Sequence, residues 1–463
     1  MRVKKISELC MWLPGFAPED DPLVTLGPIR APTVSAEVIA FPGVHVPQHA
    51  DVDVVAEIPK AVWPQLTAEA LGAWGGKVTK YESNIKAINL LKQLEAEDRN
   101  PDDDERLVLQ RYTGWGGLPA AFNSDQKDPG WVSRSDDLKK LLTADEWESA
   151  RNSTPNAHYT DLPVVDAVWK AVQHLGFTGG RIIEPSVGSG LFLGAMPKEI
   201  AEQSSVTAVE LDDLSGRLVR KLYGHFGVQT LIQGFEKAKL PEGYFDLAIG
   251  NVPFGAYKVG DCRHKPYADW NIHNYFFGRT LDLVRAGGLI AFITSTSTMD
   301  RDYQDRQRDI RTHLNLHAEF LGAIRLPSGT FEAIAETSVT TDIIFLKKRA
   351  VKKVESSAPW LEAKKATPAM RQDTLHFKDM LINQYFVSKP EMMIGKLDWV
   401  SNGYSAENIG LKYQGQSFED DLQTAIFQLP EAVFKPRVKV EKKIAETVRV
   451  PSLEYVKPGA FTI

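Results

Sequence analysis

Three short stretches of the chain combine chemically capable side chains with backbone that has to bend. The first is AIGNVPFG, residues 248–255, where an apolar run from Phe245 to Ile249 ends in Asn251, Val252, Pro253 and Phe254. An amide, a rigid imide ring and an aromatic side chain thus follow a strand that reads as buried, and in open α/β sheets ligands bind at the carboxyl ends of strands. The second is RIIEPSVGSGLFLGAMP, 181–197, in which a strand runs into Glu184 and Pro185, then Gly188, Ser189 and Gly190, then an apolar helix. Glycines there let the backbone approach a ligand, and the helix start offers N–H groups. Taken alone, such a turn is equally a packing device. The third is Glu210, which ends the next apolar run 210 − 190 = 20 residues after the last of those glycines. That is about the separation at which an acidic side chain receives the ribose hydroxyls of a nucleoside. A ligand carrying an adenosine is the consequence. The loop departs from the nicotinamide and flavin pattern, because Gly188-x-Gly190 is followed by Gly194 at i+4 rather than by a glycine at i+3.

A sheet must hold these stretches in register. Apolar runs predict strands at 181–184, 206–210, 228–232, 245–250, 288–295, 318–324 and 339–347, with helices in most of the gaps. That alternation is the pattern of a largely parallel sheet wound on both faces. Upstream, KYESNIKAINLLKQLEAEDRN predicts a helix with Ile85, Ile88, Leu90, Leu91 and Leu94 on one face, and PDDDERLVLQRY starts a second with carboxylates at its positive end. YTGWGGLP, 112–119, follows. Residues 1 to about 75 are proline-rich without a sustained period, and the stretch FKPRVKVEKKIAETVRV near the end is basic.

Composition limits the classes. The chain has 463 residues, 43% hydrophobic and 25% charged, the composition of a globular protein, and is long enough for one large α/β domain with accessory segments or for two to three domains. A net charge of −6 excludes a uniformly basic surface, so any nucleic-acid contact must come from local clusters. Two cysteines, Cys10 and Cys262, are too few for a disulfide framework and point to a reducing compartment, the cytoplasm by default. The N-terminal MRVKKISELCMWLPG is interrupted by Glu8 and Pro14 and does not read as a signal peptide, and no run reaches the roughly 18 apolar residues of a membrane span. No metal is expected, since Cys262 and His264 alone do not make a zinc site.

In order and spacing, IEPSVGSG, AVELDD and AIGNVPFG resemble the cofactor and catalytic motifs of S-adenosylmethionine-dependent DNA adenine-N6 methyltransferases, whose catalytic signature is Asp/Asn/Ser-Pro-Pro-aromatic. NIKAINLLKQL, YTGWGGLPAAF, NAHYTDLPVVDAVW, WNIHNYFFGRTLDLVRAGGLIAFITS and NQYFVSKPEMMIG are similar, more specifically, to the methylase module of very large methyltransferase-helicase proteins of phages and mobile elements. The resemblance spans roughly residues 80–400. It implies an α/β, Rossmann-like class I methyltransferase fold, a mostly parallel seven-stranded sheet with helices on both faces. It also implies four regions: an N-terminal accessory segment 1–78, a helical segment 79–155, the methyltransferase domain 156–350 and a C-terminal accessory segment 351–463 suited to DNA recognition.

The resemblance further implies S-adenosyl-L-methionine as cofactor and double-stranded DNA as partner, with a covalent or non-covalent link to a helicase module and a setting in restriction-modification, in a bacterial or phage-infected cytoplasm. Tyr159 and Thr160 would close over the methionine end, Glu184, Pro185, Gly188 and Gly190 would cradle the cofactor, Glu210 and Leu211 would meet its ribose, and Phe235 and Glu236 its adenine. Asn251 would serve both cofactor and catalysis. The Asn251 side-chain oxygen and the Val252 carbonyl would accept the amino hydrogens of an adenine flipped out of the duplex, Pro253 would hold the turn rigid, and Phe254 would stack on the base. Lys258, Arg263, His264, Lys265 and Trp270 would face the DNA, and His273 and Asn274 would line the pocket. One position departs from the signature: Val252 stands where the family has its first proline. Three other readings share the motif: methylation of a glutamine amide on protein, methylation of RNA adenine, and a DNA-binding module with a silent site.

Overall fold

A computed structural model of the chain describes residues 62–123, 127–154, 160–261, 263–264, 266–301, 308–330, 339–353, 355, 357–372, 380–400 and 408–437. Seven apolar segments form the central sheet: β1 (Arg181–Glu184), β2 (Ser205–Glu210), β3 (Gln229–Ile232), β4 (Phe245–Asn251), β5 (Val284–Ser295), β6 (Ala318–Leu326) and β7 (Thr341–Lys348). Their order across the sheet is β3-β2-β1-β4-β5-β7-β6. β7 pairs antiparallel with both β5 and β6, and the other pairs are parallel. Strand order therefore runs one way from β1 to β3 and the other way from β4, and right-handed crossovers put the helices of the two halves on opposite faces. All seven expected strands are present, and the expected seven-stranded, mostly parallel α/β sheet with them.

The helical segment comprises α1 (Ala68–Leu71), α2 (Lys77–Ala96), α3 (Asp103–Gln110), α4 (Pro129–Leu141), α5 (Ala144–Ser153) and α6 (Leu162–His174). Two of these helices start on capping boxes, Asp102 with Glu105 and Thr143 with Glu146, in which each pair satisfies two N–H groups that the first turn leaves over. α2 buries Ile88, Leu91 and Leu94 as the periodicity predicts, and also Asn84, which the apolar pattern passes over. The Asn84 amide reaches the YTGWGGLP turn: Nδ2 donates to the Gly114 carbonyl at 2.5 Å and Oδ1 accepts from the Thr113 N–H at 2.8 Å. The turn presents Trp115, fully buried, to the rings of Tyr81, Tyr112 and Phe122. Its role is to fasten the helical layer together, because none of its residues faces the cavity described below.

Past β1 the apolar stretch 191–201 forms two single turns, α7 (Leu191–Gly194) and α8 (Lys198–Ala201), where one helix is expected; Gly194 and Pro197 interrupt it. Then come α9 (Asp213–Tyr223), α10 (Ile272–Leu283), α11 (Ser297–Asp300) and α12 (Arg308–His317). The C-terminal region adds two short antiparallel ribbons, β8 (Ala363–Lys365) with β9 (Leu381–Asn383) and β10 (Lys396–Val400) with β11 (Asn408–Lys412), and two helices, α13 (Gln384–Ser388) and α14 (Phe418–Ile426). All described residues belong to one compact unit.

A buried ion cluster joins this region to the sheet. Arg325 on β6, 1% exposed, donates to both carboxylate oxygens of Asp342 on β7 (2.7 and 2.8 Å) and to Asp300 on α11 (2.7 Å), and its guanidinium lies 4.4 Å from the Phe386 ring centroid. Asp300 in turn accepts from the Asn383 N–H at 2.9 Å, and Asn383 Nδ2 donates to the Met299 and Trp360 carbonyls. The NQYFVSKPEMMIG stretch is thus a docking element. Arg325→Met leaves the buried Asp342 carboxylate and the half-buried Asp300 without their cation and is expected to lower the unfolding free energy by about 3–5 kcal/mol in urea titration.

Candidate active site

At the carboxyl ends of β1, β2 and β4, where the strand order reverses, lies a cavity of about 380 Å³. Glu184 ends β1 and its side chain crosses toward β4, where residue 250 is glycine; a Cβ there would lie 3.2 Å from the Glu184 Cγ. Gly250 therefore makes room for the carboxyl. Burial, and next the charge of Glu210, push the Glu184 pKa well above the usual carboxylate range. Its Oε2 is buried with no hydrogen-bond partner among the described residues.

Glu210 closes the glycine loop from the neighbouring strand. Its Oε2 accepts from the Gly188 N–H at 2.7 Å and its Oε1 from the Asp212 N–H at 2.8 Å, so one carboxylate sets the β1 turn and the start of α9. Leu211 beside it is 74% exposed at the rim. Gly188 and Gly190 both have positive φ (54° and 82°), and a Cβ at 190 would lie 2.8 Å from the Tyr223 ring. Gly190 is the packing glycine of the pair, behind the cavity; Gly188 faces it.

The β4 turn forms the opposite wall. Asn251 Nδ2 donates to Thr160 Oγ1 at 3.0 Å, which fixes the plane of the amide; the cap of α6 is supplied by Asp161, not Thr160. The Val252 N–H donates to the Ile293 carbonyl on β5 at 3.1 Å, and the valine side chain is buried. Pro253 and Phe254 line the cavity with them. Phe235 is buried with its ring 4.9 Å from that of Phe276, both on the cavity wall, and Glu236 stands beside them.

Of the expected site residues the cavity collects Thr160, Glu184, Pro185, Gly188, Glu210, Leu211, Phe235, Glu236, Asn251, Val252, Pro253 and Phe254. Tyr159 and Lys265 lie outside the described residues. Three expectations need correction. Gly190, expected to cradle the cofactor, packs against the Tyr223 ring and does not line the cavity. His273 and Asn274 do not line the cavity: they point behind it, His273 Nε2 pairing with Ser297 Oγ at 3.0 Å and Asn274 Oδ1 accepting from Thr298 Oγ1 at 3.2 Å, while Ile272 and Phe276, one turn apart, face it. Burial pushes the His273 imidazole down to about 4, so it is neutral near pH 7. Trp270 is not at the surface. It is 8% exposed, with its ring 5.1 Å from Tyr267 and 5.3 Å from His313, because the loop folds back onto α10 at Gly278, where a Cβ would touch both rings of the Tyr267–Trp270 pair.

The described cationic residues of that loop are engaged. Lys258 Nζ is 3.2 Å from Asp269, the Arg263 guanidinium donates to the Glu236 carbonyl, and His264 Nδ1 is 2.5 Å from Asp261. Asp261 is enclosed, yet hydrogen bonds from Tyr275 and His264 outweigh the effect of burial and hold it down to about 2.

Some lining residues carry no motif. Ser149, Asn152 and Ser153 reach the cavity from α5, in the helical segment, and Asp212 from the start of α9. Ser149 Oγ donates to Asp212 Oδ1 at 2.7 Å, and Arg217 on α9 binds Glu95, Glu146 and Asp213. The capping box of α5 and the doubled Asp after Glu210 were the only sequence signals for this wall.

Two curated proteins show what the chain is similar to. Over 277 residues it is 31% identical to the Defense against restriction protein B of Escherichia phage P1, a match that covers 59% of this chain and 10% of the phage protein. Over 209 residues it is 29% identical to the Type II methyltransferase M.XamI of Xanthomonas campestris pv. amaranthicola, covering 40% of this chain and 38% of that enzyme. The chain therefore spans a small part of the first and well under half of the second. Among solved structures it is similar to the type I restriction-modification system methyltransferase subunit from Streptococcus thermophilus, at 14% identity over 80% of this chain and 82% of that one, with a TM-score of 0.37. No protein-family model matches.

The fold is that of the class I methyltransferases. Its strand order, with β7 alone reversed, bears out the fold that the motifs imply, and the curated relatives bear out the coarser class, a methyltransferase of restriction-modification type. Among the described residues no helix is long and apolar enough to cross a membrane.

Within the methyltransferase fold, the Glu210 carboxyl sets a pH test. Burial pushes its pKa from 4.5 up to about 7, against the N–H groups of Asp212, Gly188 and Leu211, which favour its charge. Between those values the folded chain holds more protons than the unfolded one, so this group's contribution to stability is complete below about pH 4.5 and is lost as pH rises to about 7. Urea unfolding of the ligand-free protein at pH 5 and pH 7 is expected to show wild type losing stability relative to Glu210→Gln, by at most about 1.4 kcal/mol per pH unit.

Proposed function

We propose that the chain is a DNA methyltransferase that transfers a methyl group from S-adenosylmethionine to the N6 amino group of adenine, with the base rotated out of the duplex. The observation that carries this reading is the meeting, on one cavity, of the Asn251–Phe254 turn with the Glu210 and Phe235 walls. The relatives support the coarse class, and the turn's residue types support the acceptor.

The cavity's donors and acceptors suit that cofactor. Glu184, whose buried Oε2 lacks a partner among the described residues, and Thr160 would hold its amino-acid end; Glu210 would accept from its ribose; Leu211 and Phe235 would cover its adenine. When bound, it supplies a methyl group already activated by the sulfonium charge. The chain's own part is acceptance and alignment. Asn251 Nδ2, donating to Thr160, orients Oδ1 toward acceptance, and the Val252 peptide, tied to Ile293, presents its carbonyl as the second acceptor. Two acceptors on the amino hydrogens favour a pyramidal nitrogen whose lone pair aims at the methyl carbon. Phe254 offers a ring for the base, offsetting part of the few kcal/mol that flipping costs. Alignment in a site that excludes water supplies the rate, with no covalent enzyme intermediate.

Purified protein with labelled S-adenosylmethionine is expected to label unmethylated duplex DNA at N6 of adenine, read by nucleoside mass spectrometry. Label appearing on protein or RNA instead would overturn the reading. Asn251→Ala should lower turnover by about 10²–10³-fold, the scale for loss of one aligned polar group, while calorimetry still detects cofactor binding, weakened by far less than turnover is. Retained turnover in that variant would show that the acceptor has been misassigned.

A further inference from the structure

Tyr257 belongs to no motif. It lies on the same cavity as Phe254, three residues along the loop that leaves the β4 turn, and it is 44% exposed. Its backbone is tied to the start of α10: its carbonyl accepts from the Ile272 N–H at 3.0 Å, and Lys258 forms an antiparallel bridge with Asn271, the residue just before that helix. Those bonds attach the tyrosine to the helix whose Ile272 and Phe276 line the cavity.

The ring itself folds back over residue 255. A Cβ at Gly255 would meet two Tyr257 ring carbons at 2.5 and 2.6 Å, so the glycine that ends AIGNVPFG is what leaves space for it. A large ring that lines the cavity beside Phe254 and is still half open to solvent has a flat apolar face available to a ligand there. Phe254 can cover only one face of a flat base. A base taken from the duplex stack loses a neighbour on each side, and the second face would otherwise sit in water.

We infer that Tyr257 is the second wall of the base pocket, lying against the flipped base on the side away from Phe254. The inference rests on the function proposed above. The ring does the work rather than the hydroxyl, since stacking is available to any aromatic side chain. The residue acts on base capture and leaves the cofactor walls, built from Glu210, Leu211 and Phe235, untouched.

The test is steady-state methyl transfer to fragmented genomic DNA from a methylation-deficient host by wild type, Tyr257→Phe and Tyr257→Ala. Tyr257→Ala is expected to lose about tenfold or more in kcat/KM for DNA, the scale for one base-stacking ring. Tyr257→Phe should stay within about twofold of wild type, and calorimetry should give the same cofactor dissociation constant for all three proteins. An alanine variant as efficient as wild type overturns the inference and leaves the function standing, as does a phenylalanine variant as impaired as the alanine. A wild type that binds the cofactor and labels no DNA overturns the proposed function, and this inference with it.

Discussion

A parallel sheet whose strand order reverses between two neighbours has to open a crevice there, because the connections leaving the two strands run to opposite faces. In this chain the reversal falls between β1 and β4, and everything with a chemical role is arranged around it. The register Ile182–Leu247 and Ile183–Ala248 brings the ends of the two strands side by side, so that Glu184 and Asn251 emerge on one cavity without either needing a long side chain. The crossing is close enough that residue 250 has to be glycine for the glutamate stem to pass. β2, paired in register on the other side of β1, then delivers Glu210 to the Gly188 turn. A conformational constraint at the sheet thereby becomes an electrostatic one: two carboxyls enclosed in one cavity, both with raised pKa values, next to a turn whose N–H groups are spent on one of them.

The layers outside the sheet are held by charge as much as by apolar burial. Arg217 on α9 joins α2 and α5 through Glu95 and Glu146, and Lys92 reinforces Glu146 at 2.7 Å. That network holds α5 over the crevice, where Ser149 meets Asp212. At the opposite end of the sheet, Asp246 at the start of β4 receives Arg181, Arg285 and Arg437, so the described C-terminal stretch is anchored to the beginning of β4. Removing either accessory layer would expose these charged groups' partners as well as apolar surface, which is why the helical and C-terminal segments read as parts of one body and not as attachments.

Strands were the most legible feature of the sequence, since apolar runs such as residues 247–249, 289–293 and 343–346 are those a sheet covered on both faces demands. The site residues that end those strands were legible for the same reason: Glu184, Glu210 and Asn251 are polar residues where an apolar run stops. What escaped was set by tertiary context. Asn84 sits among apolar α2 residues and is recognisable only through the Gly114 and Thr113 groups it satisfies, 30 and 29 residues away. The start of α10 offers a histidine and an asparagine that look chemical, yet the helical rotation turns Ile272 and Phe276 to the cavity and leaves His273 and Asn274 to Ser297 and Thr298. Trp270 looked like a surface ring because its neighbours are charged; it is covered because Gly278, eight residues later, lets the loop lie on the helix. The α5 wall left almost no trace, as serines and asparagines on a short polar helix carry no period that distinguishes a cavity from solvent.

The one departure from the family signature is best understood through its backbone. A proline at 252 would donate nothing, whereas Val252 donates its N–H to Ile293 on β5 and buries its side chain. Each replaces the other's function: proline restricts the turn by its ring, valine by a ladder bond of about 1 kcal/mol and by packing. Neither choice removes the carbonyl, which is the only part of residue 252 that the proposed chemistry uses. Pro253 remains to fix the next φ, and Gly255 remains to admit Tyr257. The turn thus combines the Val252–Ile293 hydrogen bond, the Asn251–Thr160 pair and a glycine fitted to an aromatic ring, and none of the three uses the Val252 carbonyl that the proposed chemistry needs.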